Sequence, residues 1–171
     1  MYAVAVDARP WLERIARLLQ EHNLDAVLIG NAAAALQGAP VTTIDVDFLF
    51  WKTPANVRKL NAIAKELDAV IMRPYYPASG LHRVTRDFDN LQLDFMTTVD
   101  GIRSFEGLKS RAAPLSLGET TLMVADLADI IKSKKAARRP QDLAVLPVLE
   151  KTLAEIRASK KKSAGGTQEG E

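Results

Sequence analysis

Two carboxylates, Asp45 and Asp47, stand one residue apart in the apolar stretch 43–50. A strand over this stretch places both side chains on one face, about 7 Å apart, because successive strand residues point to opposite faces. Two acids so placed suit a pair of divalent cations held about 3.5–4 Å apart. Burying them without a compensating charge is costly. The alternative is that both acids line the solvated face of an edge strand.

A third acid, Asp94, stands in the apolar stretch 91–96. Period-two alternation places it on the opposite strand face from the leucines and the phenylalanine of this stretch. Asp87 and Asp89 compete with it for the role of third ligand. Both lie in the segment 87–90, and Asp and Asn are common turn formers, so a hairpin turn already explains them. We therefore expect Asp94 to join the first two acids.

Small and polar residues precede the paired acids. Gly30 and Asn31 follow a predicted buried strand over 24–29 and introduce a small-residue helix over 32–37. A glycine permits close approach of the backbone to a phosphate, and a helix start presents N–H groups to it. Thr43 either hydrogen-bonds the loop that enters the second strand or is simply a β-former.

The remaining pattern supplies the elements that position these groups. Apolar periodicity predicts helices and strands in alternation. Helices are predicted at 10–21, at 53–67, at 105–111, after a cap at Asp126, and after Pro140. The helix at 53–67 starts with Thr53 and Pro54. The other strands are predicted at 69–72, 81–86, 114–117 and 121–124. The expected fold is α/β (α+β), a small mixed sheet with helices packed on it and a short C-terminal helical part. We expect a core over 1–100, a completing hairpin and helices over 101–158, and a mobile polar tail over 159–171.

Composition limits the function classes. The chain has 171 residues, 47% of them hydrophobic, which is enough for one substantial core. A net charge of +2 does not by itself predict a nucleic-acid partner. The absence of cysteine excludes disulfides, thiolate metal sites and cysteine nucleophiles. With no signal peptide or membrane-spanning apolar run, we expect a cytoplasmic protein without a membrane partner.

Taken together and in order, these residues carry a likeness to a known family. The set Gly30, Asn31, Gly38, Thr43, Asp45, Asp47 and Asp94 resembles the minimal nucleotidyltransferases of the DNA polymerase β superfamily. Within it, the likeness is to small bacterial nucleotidyltransferases that include abortive-infection-type toxins. The basic segment 133–143 is similar to the helix-break-helix that closes those proteins. The resemblance covers about residues 26–153.

The resemblance implies a metal site. Asp45 and Asp47 would each contact two Mg²⁺ ions, and Asp94 would complete the site of the catalytic one. Such ions lower the pKa of an attacking hydroxyl and neutralise a triphosphate. Three acids with no histidine suit Mg²⁺ better than zinc. At Asn31 the chain departs from the family, which usually has Gly or Ser there.

The resemblance also implies nucleotide contacts. Gly30, Asn31 and Thr43 would lie beside the nucleotide, and Lys134 would contact its triphosphate, with Lys135 or Lys132 as alternatives. These lysines belong to the acid-free segment 130–139, and the alternative reading of that segment is a solvated helix face. Arg139 and Asp142 are expected to pair and to hold the last two helices together.

The function implied is transfer of a nucleoside monophosphate from an NTP to an acceptor hydroxyl. The acceptor is an RNA end, a protein side chain or a small molecule, and the likeness to toxins favours RNA, such as a tRNA 3′ end, with an antitoxin protein as partner. Two alternatives stay open. One is a non-catalytic module of the same fold that binds a nucleotide or a partner, and the other is an aminoglycoside-type nucleotidyltransferase.

Overall fold

Seven strands join in one mixed sheet in the part of the chain that the structure, a computed structural model, describes: residues 9–43, 45–73 and 80–165. The strands are β1 (Ala26–Ile29), β2 (Val46–Phe50), β3 (Val70–Met72), β4 (His82–Arg86), β5 (Leu91–Met96), β6 (Ala113–Leu117) and β7 (Thr120–Val124). The helices are α1 (Arg9–Glu21), α2 (Gly30–Leu36), α3 (Pro54–Glu66), α4 (Phe105–Arg111), α5 (Leu127–Ala137) and α6 (Pro140–Gly165). All seven strands predicted from the sequence are present, and the α/β prediction is confirmed.

The strand order is β3-β4-β5-β2-β1-β7-β6. The pairs β2–β5 and β1–β7 are parallel, and the other four pairs are antiparallel. The two strands that carry the acids are therefore direct neighbours near the centre of the sheet. The C-terminal hairpin β6–β7 extends the same sheet through β1.

The core covers both faces of the sheet centre. All four residues of β1 are buried, as are Phe48, Leu49 and Phe50 at the end of β2. Since neighbouring strand residues point to opposite faces, a run of buried residues requires cover on both sides. The helix α2, rich in alanine, packs closely on β1, β2 and α5.

Local sequence signals explain the helix starts and ends. The hydroxyl of Thr53 accepts a hydrogen bond from the Asn56 N–H, and Pro54 opens α3, as expected for a capped helix. Arg138 adopts a left-handed conformation between α5 and α6, and Pro140 begins α6.

Among the described residues, no helix combines the length and the apolar character needed to cross a membrane.

Three local expectations differ from the structure. β2 begins at Val46, so Asp45 lies just before the strand and is exposed; Ile44 lies outside the described residues. Asp126 occupies the N-cap position of α5, but its side chain makes no capping hydrogen bond. The segment from Ser159 continues α6 to Gly165 with exposed side chains, since lysine and alanine favour helix and cations suit a helix C-terminus. The loop expected at 73–80 falls mostly on residues 74–79, outside the described residues.

Candidate active site

Asp47 and Asp94 are partners in the register of the parallel pair β2–β5. Partnered residues on adjacent strands project from the same face of a sheet. The row continues on both sides, because Arg83 of β4 is the partner of Asp94 and Ile29 of β1 is the partner of Asp47. The structure therefore brings these two predicted site residues together on one face.

Aromatic packing on the other face holds this register. Phe48 and Phe95 are the next partners along the two strands, and their rings stack with centroids 5.0 Å apart and planes 13° apart. Phe50 meets Phe95 edge-on at 6.0 Å. All three phenylalanines are fully buried. The two carboxylates consequently lie on the opposite face of the sheet from these rings.

Gly30 lies against the carboxylate of Asp47. Its φ is +69°, which L-residues with a Cβ adopt only with strain. A Cβ at this position would lie 3.1 Å from Asp47 Oδ2. Glycine is thus needed both for the turn between β1 and α2 and for the space beside the acid.

The electrostatics of Asp47 report a cluster of negative charge. Burial and, to a smaller extent, the neighbouring carboxylates of Asp94 and Asp45 raise the pKa of Asp47 to about 6. Lys134 and Arg139 act in the opposite direction. Among the described residues, no cation pairs directly with Asp47. A carboxylate that is partly buried and unpaired in this way favours a cationic ligand.

Asp45 completes the acidic edge from just outside the sheet. The Thr43 hydroxyl accepts from the Asp45 N–H at 3.1 Å and donates to the Asp45 carbonyl at 2.9 Å, which fixes the entry to β2. Gln92 Nε2 donates to Asp45 Oδ1 at 3.5 Å. Thr43 thus positions the backbone of Asp45, while the Asp45 side chain stays exposed.

Asp94 is held by Arg83. Arg83 Nε donates to Asp94 Oδ1 at 2.8 Å, and Nη2 donates to Oδ2 at 2.9 Å. The Asp94 side chain is 11% exposed and that of Arg83 is 37% exposed. The hydrogen bonds to Asp94 raise the pKa of Arg83 above its usual value. Both oxygens of the third acid are therefore engaged within the protein.

Cations reach the cluster from the C-terminal helices. Lys134 Nζ lies 3.2 Å from Asp142 Oδ1, and Arg139 Nε lies 2.6 Å from Asp142 Oδ2, so the predicted pair of Arg139 and Asp142 is present. Lys135 instead pairs with Glu150 at the surface, at 2.5 Å. Of the three candidate lysines, Lys134, Lys135 and Lys132, Lys134 is the one whose charge lowers the pKa of Asp47.

Asn31 carries an unsatisfied buried atom. Its Oδ1 is shielded from solvent and has no hydrogen-bond partner among the described residues. Most buried side-chain oxygens are hydrogen-bonded, so this atom is a candidate contact for a ligand next to Gly30. Asn31 is the second residue of α2, a helix of seven residues.

The donor atoms suit Mg²⁺ in type. Carboxylate and amide oxygens are hard ligands of the kind that Mg²⁺ prefers. As they stand, however, the described residues contain no group of three or more acidic or histidine side chains that could hold a metal ion. Both oxygens of Asp94 accept hydrogen bonds from Arg83, whereas Asp45 and Asp47 form no ion pair among the described residues and are of the chemical type that Mg²⁺ prefers.

Comparison with known proteins identifies solved structures that share the fold of this chain. No family model and no curated relative matches the chain. Among solved structures, ANT(2″)-Ia in complex with adenylyl-2″-tobramycin has a TM-score of 0.62 at 15% identity, covering 93% of this chain and 97% of that one. The lincosamide antibiotic adenylyltransferase LnuA, lincomycin-bound, has a TM-score of 0.60 at 9% identity, covering 86% and 98%. A nucleotidyltransferase-like protein from Paracoccidioides brasiliensis has a TM-score of 0.53 at 13% identity, covering 93% and 91%. The chain shares the fold of these nucleotidyltransferases.

Within this nucleotidyltransferase fold, sequence reasoning left two neighbours of the acids without a role. These neighbours are Arg83 and Gln92, which hydrogen-bond Asp94 and Asp45. A signal for Arg83 was present in the sequence. A hairpin that closes at Arg86 and Leu91 makes Arg83 and Asp94 direct partners.

Proposed function

We propose that the protein is a Mg²⁺-dependent nucleotidyltransferase that moves a nucleoside monophosphate from an NTP to an acceptor hydroxyl. The observation that supports this most is the in-register placement of Asp47 and Asp94 on one face of the sheet. Gly30 leaves space beside Asp47, and Lys134 approaches from α5. An acidic cluster next to a cation is the arrangement that a metal–triphosphate complex requires.

In this proposal Asp45, Asp47 and Asp94 hold Mg²⁺. The bound metal would supply neutralisation of the triphosphate charge and a lowered pKa for the attacking hydroxyl. The acceptor oxygen forms a bond to the α-phosphorus as the bond from that phosphorus to pyrophosphate breaks. Lys134 stabilises the negative charge of the departing pyrophosphate, and Gly30 keeps the space beside Asp47 open.

Two acceptor classes follow from different observations. The resemblance of the sequence to toxins predicts an RNA end, for example of tRNA, and with it a neutralising protein. Two of the comparison structures hold an antibiotic or its adenylylated form, adenylyl-2″-tobramycin in ANT(2″)-Ia and lincomycin in LnuA. This second observation favours a small hydroxylated molecule as the acceptor.

Labelled nucleotide separates these possibilities. The purified protein is incubated with each α-³²P-labelled NTP and MgCl₂, together with total RNA in one series and with hydroxylated antibiotics in another. Transfer of label to RNA or to a small molecule identifies the acceptor class. The matched control is Asp47→Asn, which should transfer no label. Label transfer that is equal in wild type and Asp47→Asn would contradict the proposal.

The same samples test the non-catalytic alternative. A binding module of this fold would bind NTP in a metal-dependent manner, measured by equilibrium dialysis, without transferring label to any acceptor. An active enzyme would release pyrophosphate in proportion to the labelled product. Binding without release across all acceptors would therefore favour the module.

A further inference from the structure

The contact between Arg83 and Asp94 conflicts with the metal site that the proposed function requires, and the inference drawn from it rests on that function. A carboxylate whose two oxygens each accept a charge-assisted bond from one guanidinium has little capacity left for a cation. The two bonds are 2.8 and 2.9 Å long. The positive charge of Arg83 also opposes the approach of a second positive charge.

The register of two neighbouring strands brings Arg83 and Asp94 side by side. Arg83 and Asp94 are direct partners in the antiparallel pair β4–β5, and so their side chains share one face of the sheet. Asp94 is shielded on its other side by the strand that carries Asp47. Arg83 is thus the built-in counter-ion of the third acid.

Arg83 nevertheless has room to leave. Its side chain is 37% exposed, whereas that of Asp94 is 11% exposed. A long side chain with an exposed guanidinium can move into solvent without disturbing the core. Asp45 and Asp47 have no such partner among the described residues, so they do not need a release step.

We propose that Arg83 occupies Asp94 in the resting protein and is displaced when a divalent cation binds there. The two cations of the site would then differ in whether they compete with Arg83. A cation held by Asp45 and Asp47 binds directly, while one that needs Asp94 competes with Arg83. Arg83 is a positioning residue in this scheme, because it acts through Asp94 rather than on the substrate.

Metal binding without nucleotide tests this competition. MnCl₂ is titrated into nucleotide-free wild type and into Arg83→Gln, and the affinity is measured by calorimetry and by the electron paramagnetic resonance of free Mn²⁺. Loss of a bidentate bond between charged groups should tighten binding by about ten- to a hundredfold. The matched control is Arg17→Gln, whose surface partner Glu13 lies on α1, and it should bind as wild type does. Equal affinities in wild type and Arg83→Gln would overturn the proposal.

Thermal unfolding distinguishes the proposed role of Arg83 from that of a purely structural ion pair. In EDTA, Arg83→Gln should unfold at a lower temperature than wild type, because three acids are then left with one fewer counter-charge. Saturating MnCl₂ should remove that deficit. A structural pair would leave the same deficit with and without MnCl₂, and that result would overturn the proposal. If Arg83→Gln does not fold, Arg83→Lys is used instead. It keeps the positive charge but cannot form the bidentate contact with Asp94. It should shift Mn²⁺ affinity in the same direction by a smaller factor.

The two proposals fail in different ways. Label transfer by wild type together with an unchanged Mn²⁺ affinity in Arg83→Gln would overturn the role of Arg83 alone. Tighter Mn²⁺ binding in Arg83→Gln, lost again on adding Asp94→Asn, supports that role even where no acceptor takes label.

Discussion

Lys134 and Asp142 form an ion pair between α5 and α6 in which both side chains are nearly buried, 11% and 2% exposed. Burial raises the pKa of Asp142, but the hydrogen bonds from Arg139 and Lys134 outweigh that effect and hold it below its usual value. The lysine expected to meet the triphosphate is therefore fixed in place by α6. The last helix thus positions Lys134 through Asp142.

The first prediction concerns the two adjacent lysines. Lys134→Ala should lower kcat/KM for NTP by about ten- to a hundredfold, since it removes a charge-assisted bond to the triphosphate. Lys135→Ala is the matched control, because Lys135 pairs with Glu150 at the surface, and its kcat/KM should stay near that of wild type. Steady-state kinetics with varied NTP measure both. A kcat/KM for Lys134→Ala that stays at the wild-type value would contradict a contact between Lys134 and the triphosphate.

A second prediction concerns the charge on Asp47. Its pKa is raised from 3.8 to about 6, so the folded state binds the proton more tightly than the unfolded state. The stability due to this proton is present below pH 3.8 and is lost as the pH rises through about 6. In EDTA at pH 7.5, Asp47→Asn should therefore be more stable than wild type by roughly 1–2 kcal/mol, allowing for solvent screening.

Urea unfolding at pH 7.5 and pH 4 measures this difference, which should shrink at the lower pH. The same variant should lose Mg²⁺-dependent transfer. A variant less stable than wild type at both pH values would instead indicate a structural hydrogen bond at Asp47.

The third prediction separates backbone strain from crowding of the acid. Gly30→Ala should lower stability by about 1–2 kcal/mol because of the positive φ, and should also lower kcat by pushing on Asp47 Oδ2. Gly38→Ala is the control, since Gly38 also has a positive φ, +97°, but a Cβ there meets nothing within 4 Å. Both variants should unfold more easily, and only Gly30→Ala should lose activity beyond its loss of folded protein. Similar kcat values for the two would show that the contact with Asp47 is unimportant.

The fourth prediction concerns His82. Burial lowers its pKa, and the nearby charge of Arg73 lowers it further. Nε2 lies 2.8 Å from Arg73 Nη2 and Nδ1 lies 3.3 Å from the Gly80 carbonyl, so a neutral ring that accepts from Arg73 and donates to Gly80 satisfies both. Because the folded pKa is below the usual 6.5, this stability is present above pH 6.5 and is lost as the pH falls through the folded value.

Urea unfolding at pH 7.5 and pH 5 checks this prediction. His82→Gln should reduce the loss of stability between the two pH values relative to wild type. His22→Gln is the comparison variant, because His22 directly follows α1 and lies 2.6 Å from the exposed Glu66 rather than beside Arg73. An identical acid-induced loss in wild type and His82→Gln would contradict the assignment.

Much of the fold follows from local pattern. The turn at 87–90 and the alternation on either side predict the hairpin, and counting outward from Arg86 and Leu91 leads to Arg83 and Asp94. The parallel pairing of β2 with β5 is different, because no turn connects these strands and only packing of their phenylalanines selects the register. The same limit applies to the ion pair of Lys134 and Asp142, since its partners meet only after α5 and α6 have packed.

The stacked rings of Phe48 and Phe95 have a consequence for how the protein acquires activity during folding. A slip of β2 by one residue against β5 would turn Phe48 toward the face of the acids and Asp47 toward the core. Such a sheet would expose a large aromatic ring and bury a charge, so it would be less stable than the native one. After dilution from denaturant, catalytic turnover should therefore return together with the near-ultraviolet signal of packed aromatic rings, without an inactive compact species accumulating first.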